Sequence, residues 1–66
     1  MSRILVIDDS RTALETVARL LIDAGHQVAA CLSARAATER LRRERFDLIV
    51  TDIFMPDMDG FEVILE

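Results

Sequence analysis

Short apolar runs that alternate with amphipathic helical patterns are the feature that most constrains the fold of this chain. The runs at residues 4–7, 27–31 and 46–51 are rich in apolar or β-branched side chains, as is typical of strands in a buried parallel sheet. Helical patterns follow the first two runs, and another begins at Phe61. The resulting βαβαβα order predicts an α/β fold. A doubly wound parallel sheet has strand order 2-1-3, with the two complete helices on opposite faces.

The first helix is predicted from apolar residues at helical spacing, which are Leu14, Val17, Ala18 and Leu21. Gly25 stands where a glycine commonly follows the end of a helix. Two starts are open for this helix. Thr12 and Glu15 have the spacing of a capping box, and Ser10 is a competing N-cap.

The second helix is predicted to begin at Ser33 or Ala34 and to end near Arg45. Its apolar stripe is thin, and its other faces are rich in arginine. Glu39 and Arg43 are spaced as an ion pair one helical turn apart. Because acidic residues interrupt the arginines, this pattern favours a solvated face over a nucleic-acid surface.

Composition limits the classes of protein that remain. With 66 residues the chain is at most one small domain, and its formal net charge of −4 argues against nucleic-acid binding as its main role. Cys31 is the single cysteine and is expected to be a small buried strand residue, so a disulfide-stabilised extracellular domain is not indicated. With no predicted signal peptide or membrane span, we expect a cytoplasmic protein.

Three aspartates follow two strands that should be neighbours in the sheet. Asp8 and Asp9 follow the first strand, and Asp52 follows the third. Ligands of open parallel sheets bind at the carboxyl ends of the strands, and Mg²⁺ suits such carboxylates. An aspartate held there can also act as a nucleophile toward phosphorus. The alternative, that aspartates here only form turns and caps, is favoured for Asp57 and Asp59.

Two segments carry a resemblance to a known family. Residues 4–10, Ile-Leu-Val-Ile-Asp-Asp-Ser, and residues 46–60, which contain Asp-Ile-Phe-Met-Pro-Asp-Met-Asp-Gly, are similar to the receiver domain of two-component response regulators, a CheY-like, flavodoxin-like fold. The resemblance implies that Asp52 accepts a phosphoryl group from a histidine kinase or a phosphotransfer protein. It also implies that Mg²⁺ is held by Asp8, Asp9, Asp52 and the backbone carbonyl of Phe54.

The resemblance covers the first half of that family's domain. Residues 1–66 would supply three strands, two helices and the start of a third helix, without an output domain. The second half of the family's domain carries a serine or threonine and a lysine that respond to the phosphoryl group. We therefore expect a truncated receiver that is impaired in switching, and a phosphoacceptor rather than an enzyme. An aspartate-nucleophile phosphatase ranks last, because such enzymes typically carry a second aspartate where this chain has Ser10.

A half-domain would leave the third strand as an exposed edge. We expect such a chain to form a homodimer through the edge of strand three or through helix three. A dimerisation or assembly fragment that is not phosphorylated is the alternative function. His26, at the end of the first helix, is interpreted as a favourable cation there rather than as a phosphodonor.

Overall fold

The computed structural model describes residues 1–52, which form a parallel sheet with a helix on each face. The elements in chain order are β1 (Arg3–Ile7), α1 (Arg11–Asp23), β2 (Gln27–Cys31), α2 (Ala34–Arg43) and β3 (Leu48–Thr51). The strand order is β2-β1-β3, and both pairings are parallel, which confirms the predicted 2-1-3 order. The predicted helix from Phe61 lies outside the described residues. Neither α1 nor α2 is long and apolar enough to cross a membrane.

The central strand β1 is buried on both faces, and none of the four residues 4–7 is more than 2% exposed. Ile4 and Val6 pack with Leu14 of α1 on one face of the sheet. Leu5 and Ile7 pack on the other face with the smaller side chains of Cys31, Ala34 and Ala37. Because successive side chains of a strand alternate between faces, one short apolar run supplies both halves of the core.

Helix α1 begins one residue after Ser10, whose hydroxyl oxygen accepts a hydrogen bond from the Ala13 N–H at 3.3 Å. The alternative capping box at Thr12 is therefore wrong. The Ser10 backbone is extended, with φ −89° and ψ 115°, whereas Thr12 already lies inside the helix. At the other end, Gly25 has φ +95°, a conformation that glycine adopts without the steric cost other residues incur. This confirms the predicted end of α1.

Helix α2 is capped by Ser33, whose hydroxyl oxygen accepts from the Ala36 N–H at 3.1 Å. The helix ends at Arg43, two residues before the predicted end at Arg45, because the Glu44 backbone is extended. The predicted ion pair between Glu39 and Arg43 is wrong.

Glu39 instead pairs with Arg42, three residues away, with Nη1 and Oε1 3.3 Å apart. Both side chains are more than half exposed, at 57% for Glu39 and 64% for Arg42, so the choice between neighbouring arginines carries little energy. The better-covered pair on α2 joins Arg40 to Glu44, with Nε and Oε2 3.0 Å apart.

Arg3, the first residue of β1, contacts the segment that precedes β3. Its guanidinium bonds the Glu44 carboxylate and the Arg45 carbonyl and lies 4.9 Å from the centre of the Phe46 ring. The Arg3 N–H donates to the Asp47 carboxylate at 2.7 Å instead of to a strand carbonyl. The Asp47 N–H in turn donates to the Arg3 carbonyl at 2.7 Å. The register of β3 with β1 begins at Leu48, two residues later than the strand predicted from residue 46.

His26 makes a long-range contact that its position after α1 does not indicate. Its Nδ1 accepts a hydrogen bond from the Ser2 N–H at 3.1 Å. His26 thus joins the chain before β1 to the chain before β2, beside the bond from the Gln27 N–H to the Ser2 carbonyl.

Candidate functional site

The candidate site lies at the carboxyl ends of β1 and β3. Ile7 is in register with Cys31 of β2 on one side and with Thr51 of β3 on the other. Immediately beyond these pairs, the Asp8 N–H donates to the Cys31 carbonyl and the Asp52 N–H donates to the Ile7 carbonyl, both at 3.1 Å. The main chain therefore fixes where two of the three acids leave the sheet.

The structure brings the three predicted acids together. Asp8, Asp9 and Asp52 each offer one carboxylate oxygen, and these oxygens all lie within 4.8 Å of one another. Asp8 and Asp52 are partly buried, whereas Asp9 is exposed. Three negative charges this close repel one another, so the arrangement is unfavourable unless a cation or a set of donors offsets it.

The donor set suits a small hard cation. Magnesium prefers oxygen ligands at about 2.0–2.1 Å in octahedral geometry, so neighbouring ligands lie about 2.9 Å apart, opposite ligands lie about 4.2 Å apart, and the ion usually keeps several waters. The three carboxylate oxygens all lie within 4.8 Å of one another, so side-chain rotation that draws them closer together would bring them to these spacings. The residues present therefore fit Mg²⁺. The fourth predicted ligand, the Phe54 carbonyl, lies outside the described residues, as do Asp57 and Asp59.

Sequence reasoning missed one contact in this site. The Ser10 N–H donates to Oδ1 of Asp8 at 2.9 Å, so a two-residue turn holds one of the acids. The signal was an aspartate two residues before a helix-capping serine, since aspartate side chains often bond the backbone two residues on. The alternative of turn-forming aspartates thus holds in part for Asp8, which forms a turn while its carboxylate stays in the cluster.

Beneath the site lies Cys31, whose side chain is buried in the α2-facing cluster. Burial raises the pKa of the Cys31 thiol, with Glu44 adding to the effect and Arg40 opposing it. A raised pKa keeps the thiol neutral and poorly nucleophilic. Cys31 therefore supplies packing and a backbone carbonyl to the site, as its predicted role as a small buried strand residue requires.

Comparison with known proteins agrees with this fold and site. Residues 4–66 match the response regulator receiver domain. The two-component response regulator ARR2 of Arabidopsis thaliana is 39% identical over 64 residues, which is 94% of this chain and 10% of that protein. A response regulator receiver protein of Anaeromyxobacter sp. is 39% identical over 66 residues, all of this chain and 28% of that protein.

Solved structures of response regulators also superpose closely on this chain. The chemotaxis response regulator CheY4 of Vibrio cholerae superposes with a TM-score of 0.92 at 38% identity, covering 97% of this chain and 53% of that one. The response regulator TrrA of Thermotoga maritima, solved in complex with Mg(2+)-BeF, has a TM-score of 0.89 at 32% identity and covers 96% of this chain and 55% of that one.

Strand order 2-1-3 and the likeness to solved receivers together define a CheY-like receiver fold. The chain belongs to the response regulator receiver family of two-component systems. It spans about a tenth of the plant response regulators it matches and about half of the solved receiver chains.

Proposed function

We propose that this receiver accepts a phosphoryl group on Asp52, with Mg²⁺ bound by the carboxylates of Asp8, Asp9 and Asp52. The observation that carries the proposal is the meeting of these three carboxylate oxygens within 4.8 Å at the carboxyl edge of the sheet. Family membership supports the same reading, because the acids stand in the segments that resemble other receivers.

The phosphoryl donor in this proposal is a phosphorylated histidine of a cytoplasmic histidine kinase or phosphotransfer protein. A carboxylate oxygen of Asp52 forms the new bond to phosphorus as the bond from phosphorus to the imidazole nitrogen breaks. The electron pair of the broken bond stays on that nitrogen, which then takes up a proton. The product is an acyl phosphate.

The chain's own residues position this reaction. The hydrogen bond from the Asp52 N–H to Ile7 anchors the nucleophile at the end of β3, beside the acids that follow β1. Bound Mg²⁺ would neutralise the carboxylates and the charge that develops on the phosphoryl oxygens. The chain is then the acceptor of its partner's reaction, not an enzyme acting on a separate substrate.

The test is covalent labelling of the 66-residue chain by a small radiolabelled phosphodonor. We expect label on the wild type only when Mg²⁺ is present, and none on Asp52→Asn. Asp47→Asn is the matched control, since it removes a carboxylate from the opposite end of β3. Equal labelling of wild type and Asp52→Asn, or no labelling of the wild type by any donor, would contradict the proposal.

A second candidate function is association with another copy of the chain through β3. In the described part of the chain β3 is an edge strand, and Leu48 and Val50 are 53% and 36% exposed. Their register places them on the sheet face that carries Ile4 and Val6. Apolar side chains on an open strand edge favour pairing with another strand.

Sedimentation equilibrium tests this second candidate. We expect the wild-type chain to dimerise and Leu48→Glu to weaken the dimer by about tenfold or more, because the dimer would bury the new charge. Leu32→Glu is the control, since Leu32 is 40% exposed but precedes α2 rather than lying on β3. A wild type that remains monomeric at every concentration would exclude the dimer.

A further inference from the structure

Asp8 is held at both its backbone and its side chain. Its N–H donates to the Cys31 carbonyl at 3.1 Å, and its Oδ1 accepts from the Ser10 N–H at 2.9 Å. A hydrogen bond to one carboxylate oxygen restricts rotation of the whole group, so it also fixes the direction of the other oxygen. Asp9, the neighbouring acid, is exposed.

Ser10 is itself fixed by the helix it caps. Its hydroxyl oxygen accepts from the Ala13 N–H at 3.3 Å, and its carbonyl oxygen accepts from the Leu14 N–H at 2.9 Å. These two bonds attach the Ser10 backbone to the first turn of α1. The direction of the Ser10 N–H, which holds Asp8, is therefore set by the start of the helix.

We propose that Ser10 is a positioning residue for the metal site, which orients the Asp8 carboxylate toward Asp9 and Asp52 before the ion binds. This inference rests on the proposed function above. A ligand that is already oriented loses less conformational freedom on binding, so the cap raises affinity for Mg²⁺ without touching the ion. Loss of the Ser10 hydroxyl loosens the turn and lets the carboxylate rotate.

The chain contains its own control for this idea. Ser33 caps α2 through the same kind of bond, from the Ala36 N–H at 3.1 Å, but it is not part of the acidic cluster. Ser10→Ala and Ser33→Ala each remove one serine cap from one helix. Only Ser10→Ala should weaken Mg²⁺ binding, whereas a general effect of helix capping would weaken it in both variants.

The experiment is a Mg²⁺ titration of each 66-residue variant, followed by amide ¹H–¹⁵N spectra. We expect Ser10→Ala to bind Mg²⁺ about tenfold more weakly than the wild type, at the lower end of the range for groups that orient metal ligands. Ser33→Ala should bind with wild-type affinity. Ser10→Thr, which keeps a capping hydroxyl, should recover most of the lost affinity.

A second readout needs no metal. In the metal-free wild type the amide proton of residue 10 should resonate downfield, because it donates to a carboxylate. That resonance should move upfield in Ser10→Ala and stay in place in Ser33→Ala. If Ser10→Ala does not fold, Ser10→Gly replaces it, since glycine is tolerated at this position and also lacks the hydroxyl.

The possible results distinguish the proposed metal site from the proposed role of Ser10. A wild type that binds no Mg²⁺ overturns the metal site and the role of Ser10 together. A wild type that binds, with Ser10→Ala binding equally well, overturns the role of Ser10 alone and leaves the proposed function standing. Equal losses in Ser10→Ala and Ser33→Ala also overturn it, because they would show a general effect of helix stability.

Discussion

Ile7 is the residue at which the core meets the acidic site. Its side chain is 1% exposed and packs among the α2-facing cluster, while its carbonyl accepts the Asp52 N–H. A cavity beneath this residue would therefore weaken packing directly under the acids. Because the neighbouring Ala34 and Ala37 are small, they offer few atoms that could move to fill a gap.

We predict that Ile7→Val destabilises the chain by about 0.5–1.5 kcal/mol, the usual effect of removing one buried methylene group. The measurement is urea unfolding followed by circular dichroism. Ile22→Val is the matched control, since Ile22 is 53% exposed and its substitution should change stability by less than about 0.5 kcal/mol. Equal effects at the two positions would argue against Ile7 as a core residue.

At the scale of elements, Glu44 links α2 to β1. Its carboxylate pairs with Arg40 on α2 and with Arg3 of β1. The hydrogen bond from Arg40, assisted by the charges of Arg40 and Arg3, lowers the pKa of Glu44 below its ordinary value. A carboxylate whose pKa is lower in the folded chain stabilises the fold above its unfolded pKa, and this contribution disappears as the pH falls through the folded pKa.

We therefore predict that Glu44→Gln lowers the free energy of unfolding at pH 7. The difference in free energy of unfolding between this variant and the wild type should shrink as the pH falls below about 4.3, the usual pKa of glutamate. Urea unfolding at a series of pH values measures this difference. Glu39→Gln is the control at pH 7, because its pair with Arg42 is more exposed and should contribute less. A Glu44→Gln effect that stays constant from pH 7 to pH 3 would contradict the ion-pair assignment.

The elements that sequence predicted well are those whose signal is local. β1 appears as a continuous apolar run because the sheet buries it on both faces, and Gly25 marks the end of α1 because its backbone has φ +95°. The start of α1 was ambiguous, because Ser10 and Thr12 both satisfy local capping rules. The folded chain has Ser10 as the cap, with an extended backbone, and Thr12 within the helix.

Contacts between distant segments were beyond sequence reasoning. Arg3 and Glu44 are 41 positions apart, and nothing in the pattern near either residue indicates the other. The same holds for the bond between Ser2 and His26, which are 24 positions apart. Such pairings depend on the relative placement of strands and loops, which only the folded chain defines.

At the scale of the whole molecule, the candidate site is predictable because the order of the strands brings its residues together. Asp8 and Asp52 directly follow strands that the 2-1-3 order makes neighbours, so their meeting follows from strand order alone. The turn from Asp8 to Ser10 could not be predicted with the same certainty, because serine and aspartate compete for caps and turns in this segment.

The acidic cluster should reduce the stability of the metal-free chain. Two unit charges about 4 Å apart in water repel by about 1 kcal/mol, and the three oxygens lie within 4.8 Å of one another. We predict that Asp9→Asn raises the metal-free free energy of unfolding by about 1 kcal/mol, because Asp9 loses its charge while the backbone is unchanged. Glu15→Gln on the exposed side of α1 makes the same change to the net charge of −4 and should not stabilise the chain.

Magnesium should reverse this order of stability. An ion that binds only the folded state stabilises it by RT ln(1 + [Mg²⁺]/Kd), and Asp9→Asn removes one of the ligands that determine Kd. Wild type and Glu15→Gln should therefore gain stability with rising Mg²⁺, while Asp9→Asn should gain much less, as measured by urea unfolding at fixed ionic strength. Parallel gains in all three chains would show that Mg²⁺ acts by screening rather than at the site. A metal-free Asp9→Asn no more stable than wild type would show that the three acids do not strain the fold.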